Sequence, residues 1–503
     1  MTKRDIMTLP NAMTLIMIIY LLISAVSMYG IIDLINNNYE PILLKATLLV
    51  VVVTLLLFAI SKQSFVSFKK EYFRISTIFI IGYLIVFFQR YVDVVAGIAD
   101  PNNSHMFVSP ALINKCALLS IIGLLCFVIG YLIYRPSVIK SGLATAQKQK
   151  SLRWLNYILF VTVIFFIYNY GFYYLTNIYS QHFLDSHKGT IAAYIEVMIK
   201  SLMFSILILH TKNGRTEDET VWGFIKSLGL IFHLSLLAYL GLFLLVGNRG
   251  PIISIVLAYF FSYVIKVRPK FKLITYFFLI AMASFSLSVI GIVRQMNPDL
   301  AFYDRVVSTL QENTVLEKNS IIGSTAELSS SVRSLHYTVN HVPDKHPFLY
   351  GSFQFRELIA VIPFSNLVTK HLLDNSFKYR SSAAFITYVN QGEHYKRGDG
   401  SNVVADLYLS FGFLGVIIGL FLFGIFIKRL EFVIFTYHPP NIPIYYYCLA
   451  FAYISAAISI PRNTILSPLQ TAFFSLLIIL LYDFILKVLI ISKQDDKNVK
   501  IVS

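Results

Sequence analysis

The chain alternates long apolar runs with short polar segments over most of its 503 residues. Each run is about twenty residues long, the length of helix that crosses a hydrocarbon core of roughly 30 Å. The runs lack the strict alternation of a half-buried strand, so they predict helices. The predicted membrane spans lie at about 12–34, 41–61, 75–95, 110–134, 154–176, 191–211, 227–247, 251–265, 273–293, 403–427, 442–460 and 464–486. The eighth of these twelve is short and is expected to extend at either end.

The long polar segment 294–402 separates the ninth span from the tenth and carries helical patterns of its own. Ser324 and Glu327 have the spacing of a capping box, which predicts a helix start. The apolar positions that follow at helical spacing are Leu328, Val332, Leu335 and Val339. A second helix is predicted over 352–362, ending before Pro363. We therefore expect a structured loop whose helices rest their apolar faces on the membrane bundle.

Composition agrees with a membrane protein, because 56% of the residues are hydrophobic and 14% are charged, against roughly 25% charged in soluble domains. With the N-terminus in the cytoplasm, 24 basic residues fall on that side and three in the short outer loops, at Lys188, Arg249 and Arg462. The positive-inside rule therefore predicts cytoplasmic termini and an extracytoplasmic 294–402 loop. Topology accounts for the net charge of +16, so no nucleic-acid partner is expected.

The sequence shows no pattern of a metal site or a disulfide framework. Its three cysteines all lie within apolar runs, at Cys116, Cys126 and Cys448. The loop histidines lack the spacing of metal ligands on one helix face, and they are His336, His341, His346, His371 and His394. No nucleotide-binding loop or nucleophile-elbow motif occurs. We expect chemistry without a cofactor, in which a single histidine or carboxylate is the candidate general base.

Three arginines are predicted at the outer membrane face, where the positive-inside rule predicts few basic residues. Arg249 lies between spans seven and eight, Arg294 ends span nine, and Arg462 lies in the turn before the last span. Each alone is equally well explained by a lipid headgroup phosphate. Together, beside a structured loop, they favour a site for an anionic group, because guanidinium donates paired hydrogen bonds to phosphate. Arg90 differs, because it is three residues from Asp93 and is expected to pair with it.

Polar residues also begin the tenth span. Asn402, Asp406 and Ser410 are spaced by four, so they lie on one face of the helix. A polar face turned toward lipid is costly, so this one is expected to face protein or a cavity. Asp399 lies just before it in the loop. Asp399 and Asp406 are therefore candidates for chemistry.

Local motifs and the order of the spans resemble a known family. The motifs are Gly247-Asn248-Arg249-Gly250, Tyr350-Gly351 leading through Arg356 to Ile362-Pro363, and Gly400-Ser401-Asn402 leading into Ala405-Asp406-Leu407-Tyr408 and Phe411-Gly412-Phe413-Leu414-Gly415. With these motifs and one large loop in its second half, the chain resembles the bacterial O-antigen polymerases, the Wzy-type repeat-unit polymerases. An arginine often follows the Ile-Pro pair in that family. Phe364 stands here, so no catalytic role is assigned to that position.

The resemblance implies an all-α polytopic membrane protein with about twelve transmembrane helices and a GT-C-like glycosyltransferase architecture. It implies a place in the bacterial inner membrane, with the active site facing the periplasm. Such enzymes transfer a growing glycan from undecaprenyl pyrophosphate to the nonreducing end of a new lipid-linked unit, without metal or nucleotide. The partners implied are an undecaprenyl-pyrophosphate-linked donor and acceptor, membrane lipids, a chain-length regulator and a flippase.

The same resemblance gives the candidate residues their roles. Negative charge grows on the departing pyrophosphate, so fixed cations stabilise the transition state. The residues expected to hold pyrophosphate groups are Arg249, Arg294 and Arg462. Asp399, Asp406 or a loop histidine is expected to take the proton of the acceptor hydroxyl. The residues expected to contact substrate are Asn248, Arg356, Asn402, His341 and Arg397.

Two other functions remain open from the sequence. A polysaccharide flippase also has many spans, but its charges would line a cavity at mid-membrane depth and its loops would be short. An O-antigen ligase uses the same donor on a similar fold and attaches the glycan to lipid A–core. The expected division of the chain is into spans 1–9 (1–293), a periplasmic loop with amphipathic helices (294–402), spans 10–12 (403–486) and a cytoplasmic tail (487–503).

Overall fold

A computed structural model describes residues 9–35, 39–61, 73–135, 152–177, 187–212, 220–246, 248–269, 322, 325–362, 369, 374, 376–395, 398–437 and 441–502. Throughout these residues the regular secondary structure is helical, without a strand. The predicted all-α class is therefore confirmed for this part of the chain. The number of twelve spans and the GT-C-like architecture stay predictions.

The helices described are numbered here in chain order. They are α1 (Leu9–Ile35), α2 (Pro41–Ile60), α3 (Ile75–Val95), α4 (Ser104–Phe107), α5 (Ala111–Ile133), α6 (Arg153–Asn177), α7 (His187–Lys212), α8 (Val221–Leu228), α9 (Leu230–Val246), α10 (Arg249–Val267), α11 (Ala326–Ser329), α12 (Val332–His341), α13 (Ser352–Ala360), α14 (Ser382–Gln391), α15 (Val403–Thr436), α16 (Ile444–Ala456) and α17 (Leu469–Val502). Within the described ranges, nine helices are long and apolar enough to cross a membrane, or ten if the bent pair α8–α9 is one span.

Most predicted spans agree with helices to within a few residues, but α15 continues past the predicted end of the tenth span to Thr436, and α17 continues past that of the twelfth to Val502. The eighth does extend at both ends, as α10, and is 19 residues long. The seventh is the pair α8–α9, bent by 91° around Gly229, whose φ is +89. The eleventh, predicted over 442–460, is shortened to the 13-residue α16, which ends at Ala456 and is followed by a 3-10 helix at Ile460–Arg462. The ninth, at 273–293, lies outside the described residues.

The chain forms two compact units. The first comprises Met1–Lys140, Lys270–Thr436 and Ala456–Ser467, and the second comprises Ser141–Pro269, Tyr437–Ser455 and Pro468–Ser503. The boundaries predicted from the sequence separate membrane spans, loop and tail rather than compact units. These boundaries stay a prediction.

The core of the first unit is the contact between α5 and α15. The helix α5 is apolar on all sides and almost wholly buried, as expected of a helix surrounded by others. A Cβ atom at Gly130 would lie 2.1 Å from the carbonyl oxygen of Phe421, and one at Gly424 would lie 2.2 Å from the carbonyl oxygen of Phe127. The two backbones therefore approach so closely that only glycine fits at these positions.

The helix α15 is broken near its N-terminal end. Phe411 (φ −138, ψ 18) and Gly412 (φ 62, ψ −147) leave the helical region, and a positive φ of this kind favours glycine. The break changes the partners of the preceding carbonyls. The Leu409 and Ser410 carbonyl oxygens accept hydrogen bonds at 2.9 Å from the loop amides of Leu349 and Tyr350. The loop is thus joined to the span by backbone hydrogen bonds.

A buried carboxylate holds the same span to α3 and α5. Glu431 is 1% exposed, and its Oε1 accepts a hydrogen bond from the Ser76 amide at 2.7 Å. Its Oε2 accepts one from the Tyr131 hydroxyl at 2.5 Å. The first amides of a helix lack partners within that helix, so Glu431 acts as a cap for α3.

The second unit is built from α6–α10, α16 and α17 and is joined by side-chain hydroxyls between its helices. The Ser205 hydroxyl lies 3.2 Å from the carbonyl oxygen of Ser475, and the Thr211 and Ser262 hydroxyls are 2.8 Å apart. Such small polar residues allow close helix packing in a membrane.

Candidate functional site

Side chains at the end of α3 make hydrogen bonds to the start of the described loop. Gln89 donates a hydrogen bond from Nε2 to the carbonyl oxygen of Ile322 at 2.9 Å, and Arg90 Nη2 donates one to the carbonyl oxygen of Ala326 at 3.0 Å. Arg90 also pairs with Asp93 at 3.4 Å, with both residues buried. The predicted pairing within α3 is confirmed. The same arginine additionally holds the loop.

The predicted capping box begins at a residue outside the described part of the chain and stays a prediction. Thr325 occupies the N-cap position of α11 without capping it, and its hydroxyl donates instead to Gln89 Oε1 at 2.6 Å. Ser324 lies outside the described residues. The predicted single helix is divided into α11 and α12, because the Ser330–Ser331 turn interrupts it. Val332, Leu335 and Val339 are buried as predicted.

The polar face of the tenth span meets the loop helix α13, as the spacing predicted. Gln354 of α13 donates from Nε2 to Asp406 Oδ2 at 2.7 Å, and its Oε1 accepts from the Ser410 hydroxyl at 2.7 Å. Asp406 is 2% exposed. Its Oδ1 has no hydrogen-bond partner among the described residues, although Ser382 faces the same carboxylate. One amide therefore bridges two of the three predicted positions.

A second carboxylate of α13 contacts the turn before α17. Glu357 lies one helical turn after Gln354, on the same face. Both of its carboxylate oxygens are 2.7 Å from the Thr464 hydroxyl. We call Gln354, Glu357, Asp406, Ser410 and Thr464 the Glu357–Asp406 cluster. Burial, and next the neighbouring Asp406 charge, raise the pKa of Glu357 to about 7.

The same turn carries Arg462. Its Nη1 lies 3.6 Å from Glu327 Oε1 of α11, and both side chains are more than a third exposed. An exposed pair of this kind is weak, so a more highly charged anion can compete for the guanidinium. Arg462 is two residues from Thr464, and the turn therefore places a cation next to the Glu357–Asp406 cluster in the chain.

Asp399 is held by a different set of partners. Its Oδ1 pairs with Arg333 Nη2, and its Oδ2 accepts hydrogen bonds from Asn390 at 2.8 Å and Gln391 at 2.7 Å. The Asn402 side chain caps the start of α15, because its Oδ1 accepts a hydrogen bond from the Ala405 amide at 2.8 Å. These contacts hold in place the segment that leads from the loop into α15.

Two of the predicted loop histidines lie on α12. His336 is fully buried, with Nδ1 2.8 Å from the Phe107 carbonyl oxygen and Nε2 3.0 Å from the Tyr91 hydroxyl. Burial lowers its pKa to about 4. His341 Nδ1 lies 3.1 Å from the Tyr337 carbonyl oxygen, and burial lowers its pKa as well. With both nitrogens engaged, His336 is suited to packing rather than to proton transfer.

His336 predicts a specific pH dependence of stability. Its folded pKa lies below the ordinary value of 6.5, so the stability it contributes is complete above pH 6.5 and is lost as the pH falls toward 4. One pKa unit corresponds to about 1.4 kcal/mol, so the full loss is about 3 kcal/mol. In detergent, the melting temperature of the wild type is expected to approach that of His336→Gln as the pH is lowered from 7 to 5. Parallel pH curves for the two proteins would contradict this assignment.

The remaining predicted residues have other contacts or lie outside the described part of the chain. Arg249 belongs to the second unit and is the first residue of α10, where the Asn248 side chain accepts a hydrogen bond from the Gly250 amide at 3.2 Å. Arg249 therefore lies in the first turn of a helix. Arg356 donates from Nη2 to the Asp374 carbonyl oxygen at 2.7 Å. The candidates outside the described residues are Arg294, His371 and Arg397.

Comparison with known proteins assigns the family. The model of the family described as O-antigen polysaccharide polymerase Wzy matches residues 15–494. The chain belongs to this family. No curated protein and no solved structure matches it significantly. Wzy membership indicates a glycosyltransferase-like polymerase of O-antigen polysaccharide that uses lipid-linked substrates, and the apolar helices make it a multi-pass membrane protein.

Sequence reasoning missed three contributors to the site of this Wzy family member. Gln354 and Glu357 lie in a helix that was predicted, but their partners are 52 and 107 residues away in the chain. The third, Thr464, follows a predicted arginine. The available signal was the i, i+3 spacing of Gln354 and Glu357, which places two polar side chains on one face of a helix.

Proposed function

We propose that the protein polymerises lipid-linked repeat units by transferring the growing glycan from undecaprenyl pyrophosphate to the nonreducing end of a new undecaprenyl-pyrophosphate-linked unit. The reaction takes place at the periplasmic face of the bacterial inner membrane, and both termini are cytoplasmic. The family match supports the polymerase activity. The charge bias of the loops supports the orientation. A chain-length regulator and a flippase are the proposed protein partners.

The observation that carries the proposal is the turn that joins Arg462 to the Glu357–Asp406 cluster. As the glycosidic bond breaks, negative charge grows on the departing pyrophosphate, and a fixed guanidinium stabilises that charge more than it stabilises the ground state. Arg462 reaches solvent and has a weak partner in Glu327. We assign it to a pyrophosphate group. Arg249 and Arg294 are each retained, on sequence grounds, as candidates for binding a pyrophosphate of donor or acceptor.

The acceptor hydroxyl must lose a proton during the transfer. Among the predicted bases, Asp399 is neutralised by Arg333, and both nitrogens of His336 have partners. The carboxylates of the Glu357–Asp406 cluster are the better candidates, because Glu357 is only half-buried and contacts a hydroxyl rather than a cation. The substrate contacts proposed for Asn248, Arg356, Asn402, His341 and Arg397 stay predictions.

A purified preparation tests the activity directly. The protein is incubated with a synthetic undecaprenyl-pyrophosphate-linked repeat unit in the presence of EDTA and without nucleotide. We expect a ladder of products that grows by one repeat unit at a time, because the donor already carries its leaving group. Failure to consume the lipid-linked unit would contradict the proposal. Transfer only after lipid A–core is added would instead indicate a ligase.

A further inference from the structure

Glu357 is the half-buried carboxylate of the Glu357–Asp406 cluster. It lies on the face of α13 that Gln354 turns toward α15. Two apolar side chains of the same helix, Phe355 and Leu358, are both about half exposed. The helix thus exposes apolar side chains while its carboxylate contacts protein, although an unused carboxylate would ordinarily be placed in solvent. Packing alone does not explain why the Glu357 carboxylate contacts protein.

The partners of the cluster fix its geometry but leave Glu357 free to react. The Gln354 amide is held at both ends, by Asp406 and by Ser410. The Thr464 hydroxyl lies 2.7 Å from both oxygens of Glu357, and a hydroxyl donates only one proton. At any moment one Glu357 oxygen is therefore not bonded by Thr464.

The two carboxylates of the cluster differ in access. Asp406 is 2% exposed, and its Oδ2 already accepts from Gln354. Glu357 is reachable from solvent. The groups that face Glu357 are Asp406 from α15 and Thr464 from the turn. The next charge on that turn is Arg462, which pairs with Glu327.

We propose that Glu357 is the catalytic base that takes the proton of the acceptor hydroxyl, with Asp406 and Gln354 as positioning residues; this assignment rests on the proposed polymerase function. In the step, the acceptor oxygen forms a bond to the anomeric carbon of the donor glycan. The bond from that carbon to the pyrophosphate oxygen breaks, and its electron pair leaves with undecaprenyl pyrophosphate. The hydroxyl proton passes to the Glu357 carboxylate.

The pKa of Glu357 agrees with this role. Burial and the Asp406 charge raise it to about 7, which is close to the pH at which a base is both ionised and strong enough to accept a proton. Polymerisation should therefore rise as the pH increases through about 7. Removal of the Asp406 charge should lower the Glu357 pKa, and removal of the Thr464 hydrogen bond should raise it.

The test compares Glu357→Gln with Glu393→Gln, which changes an exposed carboxylate of the same loop. Using the purified protein and the synthetic lipid-linked unit, we expect Glu357→Gln to polymerise about a hundredfold more slowly and Glu393→Gln to match the wild type. Melting temperatures of the two variants control for folding. Glu357→Asp is expected to recover part of the rate.

The pH profile supplies a second readout that keeps Glu357 intact. In Asp406→Asn the acidic limb of the rate profile should move to lower pH, and in Thr464→Val it should move to higher pH. Unshifted limbs in both variants would overturn the assignment. A wild-type ladder together with a fully active Glu357→Gln variant would overturn the assignment and leave the proposed function standing. A wild-type protein that consumes no lipid-linked unit would overturn both.

Discussion

Surface polysaccharide longer than a single repeat unit is expected to disappear from cells whose protein carries Arg462→Ala. Loss of a preorganised donor to a developing negative charge lowers the rate by about 10² to 10³, and polymerisation at that rate yields no long chains. Arg462→Lys is expected to restore short ladders only, because an ammonium cannot make the paired hydrogen bonds of a guanidinium. The measurement is the ladder of extracted glycan on a gel, with immunoblotting of the protein in membranes.

Arg153→Ala is the matched control for this experiment. Arg153 is an exposed arginine at the start of α6, on the predicted cytoplasmic side, and its replacement is expected to leave the ladder unchanged. The same replacement at Arg249 is expected to remove long chains. Wild-type chain lengths from both the Arg462 and the Arg249 variants, at normal protein levels, would eliminate the pyrophosphate role.

Replacing Gly424 with Leu is expected to prevent the first unit from folding. A Cβ at this position would lie 2.2 Å from the Phe127 carbonyl oxygen, and that atom is backbone that cannot rotate away. The helices α5 and α15 would have to separate along their most buried contact, and even modest overpacking of a core costs about 1–3 kcal/mol. Size-exclusion chromatography in detergent should show aggregate in place of a monodisperse peak.

Gly30→Leu provides the comparison. Gly30 lies on the exposed surface of α1, and no atom of the described residues lies within 4 Å of the position that a Cβ would take there. We expect this variant to elute as the wild type does, since leucine has the higher helix propensity. Normal elution of Gly424→Leu would show that the α5–α15 contact is looser than its geometry indicates.

The spans, the helix α13 and the polar face of Asn402, Asp406 and Ser410 could be predicted from the sequence, because each is a local periodic pattern. The partners of that face could not be predicted. Gln354 is 52 residues from Asp406, and no local rule connects an amide in a loop to a carboxylate in a span. The inward placement of Glu357 depends on such long-range contacts as well.

The break in α15 could not be predicted from the sequence either. Glycine is common in membrane helices, so Gly412 in the sequence does not distinguish a tightly packed position from one with a positive φ. Asp399 illustrates a related limit. Its position before a span suggested chemistry, whereas Arg333, 66 residues earlier, occupies one of its oxygens. A single sequence shows which residue types are present but not which distant ones neutralise them.

The attachment of Leu349 and Tyr350 to the broken span has an evolutionary consequence. The bonds join main-chain amides to main-chain carbonyls, so they do not depend on which side chains these four residues carry. Substitutions that keep the positive φ values of positions 350 and 412 can therefore leave these hydrogen bonds in place. A polymerase that acts on different sugars can therefore differ in many side chains near these bonds and still keep the attachment of the loop to α15.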